Sequence, residues 1–130
     1  MESVILDSSA VIALFNSSDI HHRAIVAAIS GTSATFSISA MTATETLVAP
    51  SKISSRQLEV VLGALSESFG DFHPIDTEIA VKAAGIRAAT GIATPDAIIS
   101  ATALARGFSL WTCDKRLAKI HKGARLIALR

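Results

Sequence analysis

Apolar residues come in short runs, each closed by a polar cluster that starts the next element. Ser3-Val4-Ile5-Leu6 is followed at once by Asp7, Ser8 and Ser9, and then by the apolar stretch from Ala10 to Phe15. Strand-like segments at residues 3–6, 35–38, 72–75, 108–112 and 124–128 alternate with helical stretches. That alternation predicts an α/β fold, a mainly parallel central sheet of about five strands with helices on both faces. Helix starts are marked by Ser8-Ser9, Ser54-Ser55 and Thr94-Pro95, the last placing a capping hydroxyl before a proline at the first helical position. The following helix carries Ile98, Ile99, Ala101, Thr102 and Leu104 and ends at Gly107, as expected of a helix packed on the sheet and stopped by glycine. A further helix is expected over Met41 to Val48, ahead of the breaker Pro50.

The 130 residues suffice for one domain, residues 1–130, which buries roughly two-thirds of its unfolded surface. Half the residues are apolar, but the runs fall far short of the ~18 residues of a membrane span, so no membrane association is expected. Glu2 and Asp7 stand where a signal peptide excludes charge, which points to a cytoplasmic protein. The lone Cys113 agrees with a reducing compartment and reads as buried strand filler, not as a nucleophile.

Asp7 closes the first strand and Asp114 closes the strand ending Thr112-Cys113. Both therefore project from carboxyl ends of strands, where open α/β sheets bind their ligands. Asp96 falls in the first turn of its helix, where the dipole favours the ionised form. Singly, each is ordinary helix-end chemistry and Glu45 is a solvent-facing glutamate; gathered, they form a carboxylate cluster that calls for a cation. Hard divalent metals such as Mg²⁺ or Mn²⁺ are held by carboxylate oxygens, water and substrate phosphate, and their common catalytic use is phosphate-ester hydrolysis. Asp7, Asp96 and Asp114 are the expected ligands. Ser8 and Thr112 are placed either to hydrogen-bond those carboxylates or to serve as cap and strand residues.

Other chemistries find no support. No Gly-x-Ser-x-Gly turn or phosphate loop is present, His21, His22, His73 and His121 lack metal-ligand spacing, and Ser9 stands where an Asp-x-Asp phosphatase pair needs its second acid. The net charge of +1 is an average of unlike parts. Without the four acids the remainder carries +5, the one net positive charge plus the four negatives removed. From Ser100 onward Arg106, Lys115, Arg116, Lys119, Lys122, Arg125 and Arg130 face only Asp114. Such a surface is either a solvated helix face or a grip on phosphates, with Lys115 and Arg116 nearest the acids.

Asp7-Ser8-Ser9, Glu45, Thr94-Pro95-Asp96-Ala97-Ile98-Ile99 and Thr112-Cys113-Asp114, in this order, resemble the PIN-domain ribonucleases, and most closely the VapC-type toxins of bacterial toxin–antitoxin pairs. The likeness runs from about Val4 to about Ile127 and is most specific from Ala83 to Asp114. Leu117 departs from it, standing where the family often has an aromatic residue. The resemblance implies a PIN-like fold and a metal-dependent endoribonuclease in which Asp7, Glu45, Asp96 and Asp114 are catalytic, Glu45 completing the pocket or orienting a water. Hydrolysis by water leaves 5′-phosphate and 3′-hydroxyl ends. It implies RNA substrates, often tRNA or rRNA, with Arg87 where these toxins often carry a phosphate-contacting base. It also implies a VapB-like antitoxin and toxin homodimers. The alternative is a non-catalytic PIN-like module in which the acids only cap helices and the surface binds RNA or protein.

Overall fold

In the computed structural model, which describes residues 1–128, four parallel strands form one sheet in the order β2-β1-β3-β4: β1 (Ser3–Leu6), β2 (Thr35–Ser37), β3 (Ser109–Thr112) and β4 (Arg125–Leu126). Between them run α1 (Ser8–Phe15), α2 (His22–Ser30), α3 (Ala40–Ile53), α4 (Ser55–Phe69), α5 (Thr77–Thr90), α6 (Thr94–Arg106) and α7 (Lys115–Ile120). β1 and β3 are apolar because both faces of the sheet are covered. Val4, Leu6 and Trp111 point to one face, against Ala10, Val11, Ile25, Leu65 and Phe69. Ile5 and Leu110 point to the other, against Ile99, Ala103 and Leu117. Among the described residues no helix is long and apolar enough to cross a membrane.

The sheet has four strands where the sequence predicts about five. Residues 72–75 contribute a single bridge, Ser39 to His73, with His73 N–H donating to the Ile38 carbonyl at 2.9 Å and Ala40 N–H to the His73 carbonyl at 2.8 Å. The pairing stops for two reasons. Ser39 is the still-extended cap of α3, so the chain turns helical at Ala40 directly after the bridge, and Pro74 has no N–H to extend the ladder. β4 is likewise shorter than the expected 124–128, although Ile127 N–H still donates to the Thr112 carbonyl at 2.8 Å. Arg130 lies outside the described residues.

Two helix details also differ from expectation. α3 passes through Pro50, whose ring is buried, and continues to Ile53; the backbone bond a proline forfeits falls within the last turn. At α6 the cap is Ala93, which offers no side-chain acceptor, and Thr94 is itself helical, so the two residues ahead of Asp96 leave its turn uncapped by any hydroxyl. Asp96 does lie in that first turn.

The chain moves from β1 to β2 on one side, then crosses to β3 on the other side of β1. That reversal makes a crevice at the carboxyl ends of β1 and β3, the general ligand position of open parallel sheets.

Candidate active site

Asp7 and Asp114 follow the two strands that flank this crevice. Leu6 is in register with Trp111, Asp7 N–H donates to the Trp111 carbonyl at 3.2 Å, and neighbouring strands lie about 5 Å apart. α6 and α3 pack on each other, and Ser8, two residues past β1, donates to Glu45 of α3. The charges of Asp114, Asp7 and Glu45 all act on Asp96. The four acids expected from the sequence thus share one electrostatic environment.

Asp7 is 2% exposed. It caps α1 through Ala10 N–H at 3.0 Å, accepts from Ser9 Oγ at 2.7 Å, and accepts from Thr112 Oγ1 at its other oxygen. Burial outweighs these donors and, with a smaller push from Asp114, holds its carboxyl above the usual carboxylate range. Three donors on a group with about four lone-pair sites leave Asp7 roughly one site for a cation. Asp114 caps α7 by accepting from Arg116 N–H at 2.8 Å. Asp96 is half-buried, and its carboxyl is pushed up to about 6, first by burial and then by Asp114, Asp7 and Glu45, with Arg116 pulling the other way. Ser8 Oγ donates to Glu45 Oε1.

The two serines divide the work differently from expectation. Ser8 reaches Glu45, not an aspartate, while Ser9 braces the site. Its hydroxyl donates to Asp7 and accepts from Cys113 N–H at 2.9 Å, so α1 is tied to the end of β3. Asp-x-Ser at a helix cap was the available signal, since a residue two beyond a cap can bond back to it. Thr112 donates to Asp7 and accepts from Asp114 N–H at 2.9 Å. Cys113 is buried, and its thiol is pushed up to about 12 by burial, Asp7 and Asp19, which leaves it unsuited to attack. His121 is buried against Ser100 and His73 bonds Ser37.

The donor set fits a hard divalent cation, being all oxygen. Among the described residues no three acidic, histidine or cysteine side chains converge on one point. A hard cation bound there would need water and substrate phosphate to complete its shell. Of the basic residues, Lys115 and Arg116 are exposed on the first turn of α7, beside Asp114. Arg87 is on α5 and spends Nη1 on the Ile92 carbonyl at 2.6 Å, holding the turn into α6. Lys119, not singled out from the sequence, lies with Arg116 and Asp96 around a groove of about 320 Å³.

Solved structures similar to this chain include three that match nearly all of it. One is FitAcB from Neisseria gonorrhoeae, at 20% identity and TM-score 0.76, over 95% of this chain and 96% of that one. Another is a toxin–antitoxin complex from Klebsiella pneumoniae, at 28% identity and TM-score 0.75, over 98% and 96%. The third is DNA-bound VapBC from Salmonella typhimurium, at 24% identity and TM-score 0.71, over 98% and 98%. No curated protein sequence matches significantly. The PIN domain family matches residues 4–123, which takes in all four acids, all of β2 and β3 and all but the first residue of β1. On that match this chain belongs to the PIN domain family.

Proposed function

We propose that this protein is a metal-dependent endoribonuclease acting in the cytoplasm as the toxin of a toxin–antitoxin pair. The observation that carries the reading is the gathering of Asp7, Glu45, Asp96 and Asp114 at the β1/β3 crevice, where Asp96 feels the charges of the other three, offset only in part by Arg116. Membership of the PIN domain family supports a nuclease, and 28% identity to a chain of the Klebsiella pneumoniae toxin–antitoxin complex supports the toxin role and an antitoxin partner. The VapB-like identity of that partner and a toxin homodimer belong to the same proposal.

Asp7, Asp96 and Asp114 are the residues to hold Mg²⁺ or Mn²⁺. When bound, such an ion lowers the pKa of water and takes up charge on phosphate oxygens. Asp7 is fixed by Ser9, Ala10 and Thr112 and offers one lone pair. Glu45 accepts from Ser8 at Oε1, which leaves Oε2 to orient the attacking water and take its proton. Lys115, Arg116 and Arg87 are the cations proposed to face the RNA backbone, Arg87 through the nitrogens that Ile92 leaves free.

The second reading, a non-catalytic RNA- or protein-binding module, draws on the fact that Asp7 and Asp114 do cap α1 and α7. Sequencing of RNA 5′ ends after incubation with Mn²⁺ or with EDTA separates the two. The nuclease reading expects new 5′-phosphate ends, paired with 3′-hydroxyl ends, only with metal, and their loss in Asp96→Asn and Asp114→Asn. Ends carrying 2′,3′-cyclic phosphate, or cutting that survives in those variants, would falsify it. Growth arrest on expression, relieved by the co-expressed antitoxin, tests the toxin role separately from the chemistry.

A further inference from the structure

Beyond Asp96 the crevice opens into the groove of about 320 Å³. One wall is α7, which presents Arg116 and Lys119 three residues apart and therefore on one helix face. The other wall is the turn joining α5 to α6, with Gly91, Ile92 and Ala93, and Ile120 supplies apolar surface between them. We propose that this groove holds the nucleotide next to the bond that is cut, with its phosphate between Arg116 and Lys119 and its base against Ile120 and Ala93. The proposal rests on the nuclease reading and adds to it a place for the substrate strand.

Several observations select this occupant. The volume lies at the small end of ligand sites, enough for one nucleotide and too little for a folded segment. Among the residues lining the groove two exposed cations stand against the single acid Asp96, which complements a backbone phosphate on the α7 side. Asp96 belongs both to the groove lining and to the carboxylate cluster, so a phosphate drawn to Arg116 and Lys119 leaves the neighbouring one near the carboxylates.

The far wall is preorganised. Gly91 is left-handed at φ 72°, Ile92 N–H donates to Thr90 Oγ1 at 3.2 Å, and Arg87 Nη1 clamps the Ile92 carbonyl. Arg87 is thereby a positioning residue for the wall as well as a candidate phosphate contact. The base-facing surface is aliphatic, without aromatic rings or a side-chain amide, so it accepts any base with little discrimination.

The test measures binding of a short fluorescein-labelled single-stranded RNA by anisotropy in EDTA, alongside cleavage kinetics in Mn²⁺. Lys119→Gln is expected to weaken binding and raise KM about tenfold with kcat unchanged, and to make the salt slope shallower by about one; Lys119→Arg restores all three. Lys122→Gln, on an exposed lysine outside the groove, controls for the general field and is expected to change nothing. Equal losses in the two glutamine variants mean a diffuse field and overturn the subsite, as does unchanged binding in Lys119→Gln. A polyglutamate peptide that displaces the RNA at equal concentration assigns the groove to an acidic protein segment and also overturns it. Because anisotropy needs no turnover, RNA that binds as expected but is never cut leaves the groove in place and removes the nuclease reading alone.

Discussion

Asp7 and Asp96 carry the same side chain under opposite conditions. Asp7 is 2% exposed with three donors on its carboxylate, whereas Asp96 is half-buried and its carboxyl is raised first by that burial and then by three other negative charges. Replacing each with asparagine should therefore do different things. In Asp7→Asn the amide nitrogen cannot accept, so one of the Ser9, Ala10 and Thr112 donors loses its acceptor in the interior, a cost of about 1–3 kcal/mol in urea unfolding. Asp96→Asn removes a charge the metal-free fold resists. The sign of the pH effect follows: Asp96 is raised from 3.8 to about 6, so between those values the folded state binds more protons than the unfolded state, and stability falls as pH rises. Urea titrations in EDTA at both ends of that window should show the wild type losing more stability than Asp96→Asn, and parallel curves would remove the raised carboxyl. At this scale the acids were legible because each sits at an element boundary. Ser9 was not, because whether its hydroxyl turns to Asp7 or to solvent depends on β3 arriving beside α1.

Two glycines of one helix give a matched test at the scale of the element. Gly85 is exposed inside α5, with nothing within 4 Å of an added Cβ, so Gly85→Ala should stabilise by roughly 0.5–1 kcal/mol through lost unfolded-chain entropy. Gly91, its C-cap, has the same open space but a left-handed backbone, so Gly91→Ala should cost roughly 1–2 kcal/mol. Equal effects in denaturant melts would mean that the α5–α6 turn is not held as the Arg87 clamp implies. The elements legible in the sequence were those whose signal is local: β1, β3 and α6 have apolar runs with clear stops. The misread ones depend on partners elsewhere. Residues 72–75 have strand composition, but the segment they meet is already turning into α3, and Pro50 ends a helix only where no buried site receives its ring. Thr94 carries the right side chain for a cap one position too late, because α6 begins at Thr94 itself.

For the whole molecule, the crevice is the consequence of strand order. Crossing from β2 over to β3 sets Asp7 and Asp114 on adjacent strand ends, and packing of α3 and α6 adds Glu45 and Asp96, so folding must assemble like charges drawn from distant parts of the chain. Each close pair costs on the order of 1 kcal/mol or more near a surface, unless a cation offsets the field. Neutralising one member, as in Asp96→Asn, should then raise the melting temperature in EDTA by a few degrees and shrink the gain on adding Mn²⁺, since a ligand stabilises only the state that binds it. If the acids were caps alone the signs would reverse. Asp96 would merely favour the N-terminus of α6, its replacement would cost a few tenths of a kcal/mol, and metal would move neither protein. Thermal melts of wild type and Asp96→Asn, each with EDTA and with millimolar Mn²⁺, separate the cases, and a wild type indifferent to the ion would leave the four carboxylates without a common role.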